Sequence, residues 1–113
     1  MKGTLLRFYM HENSRHRHVL LYEWLLQCAK SAGISGGCAF RAIAGYGRHG
    51  VLQDEHFFEL AGKIPVEVDF VVTDSEALRL IEMISTENLS LIYARMPVDF
   101  GTTGSGTNSS TAE

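Results

Sequence analysis

The sequence has little that stiffens or cross-links a chain. Among its 113 residues there are two prolines, two cysteines and one tryptophan. Two cysteines are too few for a disulfide-stapled scaffold, and Cys28 and Cys38 read as buried, reduced thiols. No apolar run approaches the ~20 residues of a membrane span. The N-terminus opens on a strand-like run rather than on a basic stretch followed by an apolar one, so no secretory leader is expected and the reading is cytoplasmic. Positive charge is also in short supply: the formal net charge is −3. No global basic field is available for nucleic acid, which is not expected as a partner.

Apolar residues make up 45% and charged residues 20%. These are the proportions of a soluble globular domain. The length suits one domain, placed over residues 1–100. Residues 101–113 are mostly Gly, Ser, Thr and Asn, and are expected to be a disordered tail.

Leu5–Met10 alternates as a first strand, with Leu6, Phe8 and Met10 on one face. His11–His18 is polar and reads as a loop. Leu20, Leu21, Trp24, Leu25, Cys28 and Ala32 recur at helical spacing, which predicts a helix over Val19 to Ala32, stopped by Gly33. Cys38 to Ala44 reads as a second strand, and Val51 to Gly62 as a long connection in which Phe57–Leu60 extends a strand. Val66 to Val72 alternates as a third strand. Thr73 and Glu76 have capping-box spacing. Ala77, Leu78, Ile81 and Ile84 form the stripe of a second helix, and Leu89 to Met96 is a fourth strand.

The order βαββαβ defines an α+β, ferredoxin-like sandwich, with a four-stranded antiparallel sheet and two helices on one face. Alternation assigns Leu5, Arg7, Tyr9, Arg41, Ile43, Glu67, Asp69, Val71, Leu91, Tyr93 and Arg95 to the other face. That mixture of aromatics, arginines and acids suits a face buried between subunits.

Three segments carry potential chemistry. Gly45-Tyr46-Gly47-Arg48-His49-Gly50 spells G-x-G-x-x-G, yet no apolar helical stripe follows it, so a dinucleotide fold is rejected. Its glycines can instead turn backbone N–H groups toward an anion, with Arg48 beside them. His11, His16 and His18 offer imidazoles to a metal, although Arg15 and Arg17 oppose a cation. His49 and His56 flank a stretch containing Asp54 and Glu55, where exposed loop polarity is a simpler account than acid–base chemistry. No nucleophile is paired with a base, so an enzyme is not expected.

Leu5–Met10, Leu21-Tyr22-Glu23, Arg41–Gly47 and Ile64-Pro65-Val66 together resemble the DUF190 family, also called UPF0166, over roughly residues 3–98. That family is similar in fold to the PII signalling proteins. The resemblance implies a homotrimer with clefts between subunits that bind adenine nucleotides, and a long loop that engages a membrane transporter, a channel or an enzyme. Carried onto this sequence, the ligand-binding set is Arg41, Gly45, Tyr46, Gly47, Arg48 and His49. The signalling loop holds Val51, Gln53, Asp54, Glu55 and His56. Ser85–Ser90 stands where PII proteins carry a glycine- and lysine-bearing phosphate loop. It has neither residue, and a phosphate there meets Glu87. A nucleoside monophosphate or small anion is therefore favoured over a triphosphate. The alternatives are a CutA-type metal-binding trimer using His11, His16 and His18, and a structural trimer without ligand.

Overall fold

Strand β1 (Lys2–His11) alternates between the core and the opposite surface: Leu6, Phe8 and Met10 are buried while Tyr9 is exposed. The structure, a computed structural model, describes residues 1–45, 53–54 and 64–104. After β1 come a two-residue pair, β2 (Arg15–His16) and β3 (Val19–Leu20), then helix α1 (Leu21–Ser31) and strand β4 (Cys38–Arg41). A second short pair follows, β5 (Ala44–Gly45) and β6 (Gln53–Asp54). Strand β7 (Pro65–Val72), helix α2 (Asp74–Thr86) and strand β8 (Ile92–Asp99) complete the fold.

The main sheet runs β4-β7-β1-β8, with every neighbouring pair antiparallel. Strand β7 repeats the alternation of β1, burying Val66, Val68, Phe70 and Val72. Opposite-residue pairs such as Phe8–Val68 and Leu6–Phe70 therefore fall on one face. Both helices cover that face. Helix α1 buries Leu21, Leu25 and Ala29, and α2 buries Ala77, Leu80 and Ile84. Leu78, which belongs to the predicted stripe, is exposed. The Phe8 and Phe70 rings meet edge to face at 6.3 Å.

Local chemistry fixes the element ends. Thr73 Oγ1 accepts the Glu76 N–H while Glu76 accepts the Thr73 N–H, a closed capping box that contributes about 1 kcal/mol. Gly33, at φ +89°, stops α1, and Asn88, at φ +60°, follows α2. Gly37 leads into β4 because a β-carbon there would stand 2.4 Å from the Phe70 ring.

Several sequence expectations change. The second strand does not reach Ala44; it ends at Arg41, and Ala44–Gly45 pairs separately with Gln53–Asp54. The fourth strand starts at Ile92 rather than Leu89, and it includes Pro97, tolerated on a sheet edge. The first helix starts at Leu21, because Val19 and Leu20 pair with β2. Cys38 is exposed rather than buried; Cys28 is half-buried, and both thiols are free. Phe57–Leu60 and residues 105–113 of the expected tail lie outside the described residues. No helix of the described residues is long and apolar enough to cross a membrane.

The two outer strands face opposite to the alternation first assigned. Cys38 lies opposite Asp69 and Phe40 opposite Glu67, whereas Arg41 lies opposite Val66 on the helix-covered side. Likewise Tyr93 lies opposite Phe8 and Arg95 opposite Leu6, so both point toward the helix side. The open face therefore carries Cys38 and Phe40 from β4, and Ile92, Ala94 and Met96 from β8, not Arg41, Tyr93 and Arg95. Ile43 and Leu91 fall outside these strands.

Candidate functional site

Antiparallel pairing brings four strand ends to one end of the sheet. The close of β1 (His11) faces the start of β7 (Pro65), the close of β4 (Arg41) faces Val66, and the start of β8 (Ile92) faces Tyr9. Two backbone bonds tie this end together: the Glu12 N–H donates to the Ile64 carbonyl at 2.7 Å and the Ala42 N–H to the Pro65 carbonyl at 2.9 Å. The Arg41 guanidinium is thereby set beside the Glu12 carboxylate, and the two form an ion pair. Gly45 sits on β5 opposite Gln53, just beyond this pair.

Of the predicted ligand-binding set, the structure describes Arg41 and Gly45. Tyr46, Gly47, Arg48 and His49 lie outside the described residues, as do Val51, Glu55 and His56 of the predicted signalling loop. Gln53 and Asp54 form β6.

A second constellation was not legible as a unit. Arg17 (φ +52°) and His18 (φ +71°) form the two-residue turn between β2 and β3, in the left-handed conformations of a type I′ hairpin. The turn carries Arg17 and His16 to the C-terminal end of α2. There Arg17 donates Nε to Glu87 Oε1 at 2.8 Å and Nη2 to Oε2 at 3.2 Å. His16 Nε2 stands 2.8 Å from the same Oε1, and its ring meets the Trp24 edge at 4.6 Å. The α2–β8 turn thus does not present a bare carboxylate: Glu87 is held by a guanidinium and an imidazole. The Arg15-His16-Arg17 run was a signal, but nothing local paired it with a residue 70 positions later.

Arg17, then His16, holds the Glu87 carboxyl below its ordinary range. Burial pushes the nearby Cys28 thiol up, and the Glu87 charge adds to this. A carboxyl with a lowered pKa contributes stability above its ordinary pKa and loses it as pH falls through the lowered value. Glu87→Gln is therefore expected to lower the urea midpoint at neutral pH, with the gap to wild type closing in acid. Equal midpoints at neutral pH would refute that contribution.

The histidines offered to a metal do not assemble. No group of three or more His, Cys, Asp or Glu side chains is placed to hold a metal ion among the described residues. His11 and His18 are exposed while His16 faces Glu87 and Trp24.

The chain is similar to known proteins in sequence and in fold. The DUF190 family, described as uncharacterized ACR, matches residues 3–92. A UPF0166 protein of Aquifex aeolicus is 33% identical over 92 residues, spanning 81% of this chain and 88% of the relative. One from Methanocaldococcus jannaschii is 28% identical over 96 residues, with the same coverage of 81% and 88%. Among solved structures, a PII-like signaling protein from Thermus thermophilus superposes with a TM-score of 0.60 at 19% identity, covering 87% of this chain and 88% of that one. CPII, a nitrogen regulatory PII-like protein from Thiomonas intermedia bound to ADP, AMP and bicarbonate, gives a TM-score of 0.59 at 17% identity, covering 87% of each chain. The fold is PII-like.

Proposed function

This chain belongs to the DUF190 family, and on that premise we propose that it is a PII-like regulatory protein. In this reading it is a homotrimer that binds an adenine nucleotide or a small anion in the clefts between subunits. It then signals through the segment after β5 to a membrane transporter or channel.

The observation that carries this reading is the open face of the sheet. Tyr9, Phe40, Val71 and Ile92 are 41%, 52%, 44% and 68% exposed on it, with Leu5 and Met96 half-buried beside them. Large apolar side chains left open around the Arg7, Glu67 and Asp69 group support an interface on this face. A sheet face meets the need with further copies of itself, and closed symmetry limits their number. In this reading the subunit boundary falls at the end of the sheet where β4 closes on Arg41 and the chain runs on to Gly45. Arg41, Gly45, Tyr46, Gly47, Arg48 and His49 form the proposed ligand set, with Val51, Gln53, Asp54, Glu55 and His56 in the signalling segment. The pairing of Glu87 with Arg17 and His16 offsets the carboxylate that a phosphate at the α2–β8 turn would otherwise meet. No catalytic role is assigned.

The ligands of the Thiomonas protein set the probes. Thermal unfolding is followed with ATP, ADP, AMP, bicarbonate and divalent metals, with mass measured in the same buffer. A ligand at ~100 times its dissociation constant stabilises by about 2.7 kcal/mol, a rise of several degrees. The expected result is such a shift with an adenine nucleotide or bicarbonate, lost in Arg48→Ala. A shift only with a transition metal, removed by substituting His11, His16 and His18, would replace this reading with a metal-binding trimer.

A further inference from the structure

The open face holds one cation and two anions at its centre. Arg7 donates Nε to Asp69 Oδ1 at 3.0 Å and Nη2 to Oδ2 at 3.2 Å, a forked pair. The same Nε stands 3.1 Å from Glu67 Oε2. Asp69 keeps both of its oxygens on the guanidinium, so Glu67 shares a nitrogen already in use. With both carboxyls ionised, this group carries a net charge of −1 on a half-buried surface.

Apart from the His11 imidazole, no other described group on the face can offset that charge. By register, the flanking positions are Tyr9 and Phe40, one on each side of Glu67. Cys38 lies opposite Asp69, and His11 lies one pleat beyond Tyr9, opposite Pro65. Strand β8 contributes Ile92, Ala94 and Met96, none of them titratable. Arg7 is the only lysine or arginine that the described strands place on this face. A second copy brings the same surplus and so supplies no missing cation from this face.

We propose that Glu67 carries a proton when this face is covered by another copy of the chain, so that assembly is coupled to proton uptake. The inference rests on the trimeric reading above and adds its regulation by pH. Taking a carboxylate out of water without its own cation is strongly unfavourable. Binding one proton removes the surplus, and the Glu67 O–H then donates to Asp69, which keeps its fork on Arg7. Burial in the protomer alone already pushes the Glu67 carboxyl up, neighbouring Asp69 adds to this, and Arg7 only partly opposes it. Covering the face strengthens the first cause.

The sign follows from the proton count. The assembled state binds more protons than the free protomer, so assembly tightens as pH falls and weakens as it rises through the range where Glu67 ionises. One proton per protomer changes the association constant by up to about tenfold per protomer for each pH unit in that range.

Sedimentation equilibrium across pH tests this with the wild type, Glu67→Gln and Asp69→Asn, each checked for folding by circular dichroism. The wild type is expected to dissociate as pH rises. Glu67→Gln is expected to stay assembled with no such dependence. Asp69→Asn is also expected to respond little, because one carboxylate then matches one guanidinium. A wild-type trimer indifferent to pH, or a Glu67→Gln variant with the wild-type response, overturns the proton-coupled assembly while leaving the trimer intact. Protomer mass at every pH overturns the trimer, and this inference with it.

Discussion

Replacing Phe8 by alanine is expected to destabilise the protein by about 3–5 kcal/mol. Phe8 is 1% exposed at the centre of the sheet, between β7 and β8. Its ring meets Phe70 on one side and Tyr93 on the other, at 6.3 and 6.1 Å. Truncation removes both ring contacts and leaves a cavity that the rigid strand pairing cannot close. Small domains hold about 5–15 kcal/mol in total, so the variant should unfold at a much lower urea concentration, with assembly lost in the same transition. A midpoint near that of wild type would mean that this ring is not central to the core.

Replacing Ile92 by glutamate is expected to do the reverse: the protomer stays folded and the assembly comes apart. Ile92 is 68% exposed, on an edge strand of the open face, opposite Tyr9. A charged side chain is tolerated at an edge facing water, and exposed substitutions usually change stability by less than about 0.5 kcal/mol. A further carboxylate buried against another copy, on a face that already holds one anion more than its cations, costs about 3–5 kcal/mol, roughly a hundredfold or more in association per protomer. Light scattering should give protomer mass for the variant at concentrations where wild type gives the mass of the proposed trimer, with unchanged circular dichroism. A variant that assembles as tightly as wild type would place the interface elsewhere.

The contrast between these two positions shows what the sequence reveals and what it does not. The strands at the centre of the sheet announce their inner face. β7 alternates Val66, Val68, Phe70 and Val72 with Glu67 and Asp69, and its partner β1 buries Leu6, Phe8 and Met10. The helices are equally plain, because one covered stripe repeats every three or four residues. The outer strands β4 and β8 are different. Cys38-Ala39-Phe40-Arg41 is exposed on both faces, and β8 has no fully buried position. Such strands carry no covered face to read, and their orientation is set by the partner they pair with. Cys38 opposite Asp69 settles one, and Tyr93 opposite Phe8 settles the other.

The site divides in the same way. Arg41 and Gly45 were open to proposal as site residues because a strand pattern runs into glycine there. The partnership of Glu12 with Arg41 depends on the close of β1 meeting the close of β4 across the start of β7. The Glu87 cluster depends on a two-residue turn made from Arg17 and His18, residues that give no turn signal where Asn-Gly would. Contacts that bridge 29 or 70 positions follow from topology and not from local pattern.

The central claim is that the ligand is held between subunits, and the Ile92→Glu protomer tests it most directly. Equilibrium dialysis with ADP is run on wild type and on this variant at equal protein concentration, each shown to be folded. Binding by the trimer and none by the protomer is the expected result. Equal affinity in both would contradict the claim and put the whole site within one chain.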